Sequence, residues 1–167
     1  QALRRVGHEV VEADVDSALI ETLRANDSAV VFPMLHGGLG ENGALLEVLQ
    51  LMGIPYVGSG PATCRISFDK SIASRAVAAA GVATPQQVAL PHDIFRELGA
   101  RTVIRSITES FGLPVIVKPA RGGSSLGVTK IDDIDDFPQA IANAYAYDDM
   151  VVVEEFIAGT ELAIGMI

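Results

Sequence analysis

VIVKPARGGSSLGVTKI, residues 115–131, runs a buried-looking strand into Lys118, gathers three glycines and two serines between residues 122 and 127, and then resumes strand-like sequence. Glycine weakens strands and helices alike, so such a cluster is tolerated only for a reason. A phosphate loop of the GxxxxGK[ST] kind needs a helix behind it, so that amides at the helix N-terminus face the phosphate. Here Lys118 precedes the glycines and VTKI after them is strand-like, so that reading fails. What fits is a hairpin flap. Two strands would be joined by a Gly/Ser loop whose amides and hydroxyls close over phosphates, with Lys118 as a fixed positive charge at the end of the incoming strand. The bland alternative is an ordinary hairpin turn beside a solvated lysine, and the cluster alone does not choose between them.

The rest of the composition narrows the setting. The chain has 167 residues, 49% apolar and 20% charged, which suits one ordinary domain or two small ones. Twelve basic against 21 acidic residues leave a net charge of −9. Such a chain has no general attraction for nucleic acid or an anionic membrane, so a bound polyanion needs a local site. Cys64 is the one cysteine, which excludes an internal disulfide, and no Cys/His pairing suggests zinc. No apolar run reaches membrane-spanning length and the N-terminus has no signal-peptide core, so cytoplasm is the default. The chain opens without Met in a helix-end pattern and stops in the strand-like run ELAIGMI, as if both ends were cut from something longer.

Along the chain, GHEVVEADV reads as a strand and DSALIETLRAN as a helix capped by Asp16 or Ser17. SAVVFPML is a continuous apolar run of the kind buried on both faces of a parallel sheet. HGGLGENG follows, then the helix pattern ALLEVLQLMG closed by Gly53, then the short strand IPYVG. This alternation predicts an open α/β layer with its ligand edge at the carboxyl ends of the strands. Beyond SGPATC the pattern changes: helix 69–80, strand PQQVALP, helix ARTVIRSITESFG, strand LPVIVKP, the glycine loop, strand GVTKI, helix DIDDFPQAIANAYAY and strand MVVVEEF. Two helices on an antiparallel sheet describe this second unit best.

Three further stretches carry candidate chemistry. HGGLGENG, residues 36–43, holds Gly38, Gly40 and Gly43 in GxGxxG spacing between a strand and a helix. A dinucleotide site also expects an acidic residue about 20 positions on, yet none lies between Glu47 and Asp69. His36, Glu41 and Asn42 offer polar groups for a small zwitterion instead, although His36 alone reads as a satisfied histidine at a strand end. VVVEEFIAGTE, residues 151–161, ends an apolar strand in Glu154 and Glu155 and resumes with Phe156 and Ile157, so backbone amides stand beside a carboxylate. Adenine presents the complement, an amine donor beside a ring-nitrogen acceptor, and Glu161 would accept from ribose hydroxyls. Read alone, the two acids would be exposed charges at an edge strand. Lys70 sits at a helix start, where an amine fits the dipole poorly unless an anion neutralises it, making it a second phosphate candidate. The aspartates of DDIDD read as helix caps rather than metal ligands.

Together and in this order, the pieces resemble the ATP-grasp ligases, specifically the D-alanine–D-alanine ligase family. HGGLGENG is similar to that family's HGxxGEDG signature, followed by GIPYVGSG and FDK, while VIVKPARGGSSLGVTK and VVVEEFIAGTE are similar to its flap and adenine hinge. The resemblance implies a pre-ATP-grasp Rossmann-like parallel sheet layer over residues 1–58, a small α+β ATP-grasp subdomain over 59–157 and the start of the large subdomain at 158–167. It implies that Lys70 and Lys118 contact ATP phosphates and that Ser124, with Gly123 and Ser125 beside it in the flap, closes the site over the first substrate. It assigns Glu154, Glu155 and Ile157 to the adenine, Glu161 to the ribose, and His36 and Glu41 to the amino-acid pocket. The implied activity joins two D-alanines through an acyl phosphate for peptidoglycan precursor synthesis, with ATP and Mg2+, and with a homodimer when full length.

The match has departures. Asn42 stands where the family has Asp, and Leu46 and Glu47 replace its small or amide residues. The family's N-terminal glutamate strand, its C-terminal arginine and its magnesium-binding Asp, Glu and Asn find no counterpart in the chain. These 167 residues alone are therefore expected to form no dipeptide. Two alternatives stay open: a related ligase using D-lactate, D-serine or an antibiotic-pathway pair, and a non-catalytic nucleotide-binding module.

Overall fold

The computed structural model describes residues 1–26 and 30–165. Its centre is a four-stranded antiparallel sheet of Gln87–Pro91 (β1), Val115–Pro119 (β2), Thr129–Ile131 (β3) and Met150–Glu155 (β4), ordered β1-β4-β2-β3. Along the chain the helices are Ala2–Arg5 (α1), Leu19–Ala25 (α2), Ala44–Leu51 (α3), Pro61–Phe68 (α4), Lys70–Ala79 (α5), His92–Leu98 (α6), Ala100–Phe111 (α7) and Phe137–Tyr145 (α8).

Two periodicities build the core. In β2, Val115 and Val117 are fully buried while Ile116 and Lys118 are only partly so, the period-2 pattern of a strand whose two faces differ. In α8, Phe137, Ala140, Ile141 and Ala144 are buried at i, i+3, i+4 and i+7. Val103, Ile104 and Ile107 of α7 pack with them on the Val115, Val117, Val151 and Val153 face of the sheet. Burying a side chain such as Phe137 contributes roughly 1.5–3 kcal/mol. The opposite face carries Val152, Lys118 and Glu154.

The expectation of two helices on an antiparallel sheet holds for this half, with boundaries within two or three residues except where DIDDFPQAIANAYAY opens as a 3-10 turn, Ile134–Asp136, capped by Asp133. Two helices escaped the sequence reading. α4 starts on Pro61 at its first turn, and α6 occupies the connection after β1.

The first half departs further from expectation. GHEVVEADV carries no strand, because a run of half-polar residues becomes a strand only against a ladder partner, and its residues are almost all exposed. Of SAVVFPML, residues 28 and 29 lie outside the described residues, and the remainder makes a single parallel bridge, Val31 to Tyr56. Two bonds hold it: the Val31 amide to the Pro55 carbonyl at 2.9 Å and the Val57 amide to the Val31 carbonyl at 2.9 Å. Val30, Phe32 and Met34 remain exposed. The described residues thus form an α/β chain with a small antiparallel sheet, and the expected parallel layer is reduced to one bridge. The terminal ELAIG, residues 161–165, has no regular structure where a strand was expected. No helix among the described residues is long and apolar enough to cross a membrane.

Candidate functional site

The site grows from the register of β2 and β4. Ile116 faces Glu154 and Lys118 faces Val152, so Lys118 and Glu154 lie diagonally on one face. The Lys118 ammonium pairs with the Glu154 carboxylate, and both side chains are more than four-fifths buried. Two residues expected in separate roles, phosphate and adenine, are therefore each other's counter-charge.

Lys70 joins them from α5. Asp69 caps that helix, its Oδ1 accepting from the amides of Ser71 at 3.0 Å and Ile72 at 3.1 Å. The Lys70 amide donates to the Ala120 carbonyl at 2.8 Å and its ammonium to the Gly122 carbonyl at 2.8 Å, so the helix start is stitched to the glycine loop. Burial, and then the charge of Lys118, hold the Lys70 amine below its ordinary proton affinity. The Lys118 charge is met by Glu154, so Lys70, resting on a carbonyl of the glycine loop, is the cation left to face an anion among these three side chains. Among the described residues no group of three or more His, Cys, Asp or Glu could hold a metal ion.

The loop itself has fixed stems and an exposed tip. Gly122 and Ser124 have φ of 108° and 63°, and Ser124 and Ser125 point no hydroxyl into the core. At one stem Arg121 grips Asp148, and at the other a Cβ on Gly127 would meet Tyr147 at 2.8 Å and Pro119 at 2.9 Å. Arg121 and Asp148 were not foreseen. Arg121 lay inside the quoted stretch, whereas only a contact 27 residues away reveals Asp148.

His36 and Glu41 do come together, Nδ1 to Oε1 at 3.5 Å, with His36 almost wholly exposed. Glu41 also abuts the flap: a Cβ on Gly123 would stand 3.0 Å from its Oε2. The departures have structural uses. Asn42 Oδ1 accepts from the Ala44 amide at 2.9 Å ahead of α3, Leu46 is core, and Glu47 pairs with Arg65 of α4.

At the hinge, the Glu155 amide donates to the Gln86 carbonyl at 2.9 Å and the Phe156 amide to the Pro114 carbonyl at 3.2 Å. Both amides are thus taken by backbone flanking β1 and β2, and Ile157, two residues beyond β4, is exposed. Lys130 stacks on the Phe156 ring at 4.7 Å, a contact the sequence reading missed. Glu161 is exposed in a segment without regular structure.

Comparison with known proteins places the chain in a family. Residues 5–59 match the family model described as D-ala D-ala ligase N-terminus, and residues 76–167 the one described as D-ala D-ala ligase C-terminus. A D-alanine--D-alanine ligase of Geobacter sulfurreducens is 36% identical over 167 residues, 100% of this chain and 50% of its own length. One of Nocardia farcinica is 40% identical over 161 residues, 96% of this chain and 41% of its own. Among solved structures, a D-Ala:D-Ser ligase from Enterococcus faecalis aligns with a TM-score of 0.70 at 35% identity, covering 78% of this chain and 36% of that one. The D-alanine-D-alanine ligase of Helicobacter pylori aligns with a TM-score of 0.67 at 28% identity, covering 78% and 37%. The chain spans about half the length of the curated relatives it matches. By sequence over both of its halves and by fold, the chain belongs to the D-alanine–D-alanine ligase family.

Proposed function

We propose that the protein to which this chain belongs is an ATP-dependent ligase joining two D-alanines, with ADP and phosphate as co-products. The observation that carries the reading is Lys70, a partly buried amine resting on the Gly122 carbonyl of the glycine loop with the Lys118–Glu154 pair beside it. Such an arrangement favours a polyphosphate, and phosphoryl transfer asks of a protein mainly positioning and neutralisation of charge. An oxygen of the first D-alanine carboxylate would attack the γ-phosphorus of ATP, releasing ADP. The amine of the second would attack the acyl carbon, losing a proton and expelling phosphate. In this reading Lys70 and Lys118 hold the phosphates, and Ser124 with the amides of Gly123 and Ser125 closes the loop and excludes water. Glu154, Glu155 and Ile157 meet the adenine, Glu161 the ribose, and His36 and Glu41 the amino acid. Magnesium belongs to the reading, but the described residues hold no set that fits it, so no step is routed through it.

The domain division follows the same reading: a pre-ATP-grasp layer over 1–58, in which the Val31–Tyr56 bridge belongs to a Rossmann-like parallel sheet, the small ATP-grasp subdomain over 59–157, and the start of the large one at 158–167. The exposed apolar residues Val30, Phe32 and Met34 support a layer with further strands beside it. Cytoplasmic location and a homodimer are part of the proposal. A second reading, with D-serine as the second substrate, draws support from the 35% identity to the D-Ala:D-Ser ligase.

The test is amino-acid-dependent ADP release by the full-length gene product with magnesium, with products identified by mass. Release with D-alanine alone is expected. Release only with a D-serine or D-lactate pair would move the substrate, and tight ATP binding without release from any pair would favour a non-catalytic module.

A further inference from the structure

We propose that Gln87 is a second acceptor for the exocyclic amine of an adenine ring and sets the preference of this site for a 6-aminopurine nucleotide, an inference that rests on the nucleotide reading above. Gln87 lies on β1 directly across from Glu154, which lies across from Ile116 on β2. The three form one row across the sheet. Strand alternation puts them on one face, since Val88, Val153, Val115 and Val117 pack into the core on the other.

The Gln87 amide has a fixed orientation. Its Nε2 donates to the Ser71 carbonyl at 3.1 Å, one residue after Lys70 in the first turn of α5, and this contact identifies the nitrogen end. Oε1 is left buried with no hydrogen-bond donor among the described residues. A buried side-chain oxygen without a donor is uncommon in folded proteins and calls for a partner. Its cross-strand neighbour Glu154 is acceptor-only when ionised, so two acceptor side chains rise side by side from opposed positions whose Cβ atoms are roughly 5 Å apart. One nitrogen carrying two hydrogens suits such a pair, and the 6-amino group of adenine is one. A 6-oxopurine would turn an oxygen toward both acceptors and be repelled.

Binding of ATP and of purine riboside triphosphate, which lacks the amino group, is measured on the full-length gene product and on Gln87→Met. The variant is expected to weaken ATP roughly three- to tenfold and to leave the amine-free nucleotide unchanged. No effect on ATP, or equal weakening of both nucleotides, would overturn the inference and reduce Gln87 to a packing or water-binding residue. If the unaltered protein binds no ATP, the nucleotide reading falls and this inference with it. Melting without nucleotide confirms that the variant is folded, and Gln87→Leu serves in its place if it is not. The unaltered protein gives an independent reading. ATP methylated once on N6 keeps one amine hydrogen and is expected to bind several-fold more weakly, and binding equal to ATP would overturn the two-acceptor claim.

Discussion

Arg121 holds Asp148 through main chain and side chain at once. Its amide donates to Oδ2 at 2.7 Å, its Nε to the same oxygen at 3.2 Å, and an Nη to Oδ1 at 2.6 Å. The Asp148 side chain is only 5% exposed, and the pair fastens the incoming stem of the glycine loop to the connection between α8 and β4. In the proposed reading the loop tip closes over phosphates, and this clamp would then fix the stem about which it pivots.

Burial by itself would raise the Asp148 pKa, but the hydrogen bonds and charge of Arg121 outweigh it, and the carboxyl sits below its usual 3.8. A depressed folded-state pKa adds stability above the unfolded value and loses it as pH falls through the folded one. Asp148→Asn is therefore expected to cost about 1–3 kcal/mol at neutral pH, toward the lower end because Arg121 is half exposed. Thermal melting of both proteins should show that difference shrinking as pH drops below 3.8. A constant gap across that range would contradict the clamp.

Lys70 makes a second prediction. Its amine is held below the ordinary 10.5 by burial first and by Lys118 next, so in the free protein it gives up its proton more readily than an ordinary lysine. A polyphosphate would raise its proton affinity again. ATP binding at alkaline pH, below the ordinary lysine value, should therefore take up protons. Calorimetry in buffers of different ionisation enthalpy would measure this. Lys70→Met should abolish the uptake and weaken ATP roughly tenfold or more.

Two glycines of the flap separate space from backbone freedom. Gly127 has φ of 72° and is wedged between Tyr147 and Pro119, so Gly127→Ala is expected to destabilise by about 1–3 kcal/mol. Gly123 has no such φ, and an added Cβ meets only the flexible end of Glu41. Gly123→Ala should leave the melting temperature unchanged or slightly raised, since it narrows the unfolded ensemble. It should still reduce turnover by displacing the Glu41 carboxylate. Equal loss of stability in both variants would contradict this distinction.

Much of this was legible in the sequence, for identifiable reasons. The BiBiB alternation of β2 and the 3.6-residue spacing of α8 are local patterns, so the antiparallel half was read with its strands in place. The parallel layer was not, because strand formation in GHEVVEADV and SAVVFPML depends on partners that local sequence does not specify. Lys70 and Lys118 announced themselves by their positions, one at a helix start and one before glycines. Asp148 and Gln87 did not, since their meaning lies in contacts 27 and 16 residues away, with Arg121 and Ser71. The Lys118–Glu154 pair was hidden for the same reason. Each residue was found separately, but the register of β2 on β4 makes them a pair.

The acyl-phosphate route can be followed through one oxygen. D-alanine labelled with 18O in its carboxylate is incubated with ATP, magnesium and the full-length gene product, and the released phosphate is examined by mass. One 18O is expected in inorganic phosphate for each ADP formed, because the carboxylate oxygen that attacks phosphorus leaves with the phosphate. Label appearing in AMP, or phosphate free of label despite turnover, would contradict it.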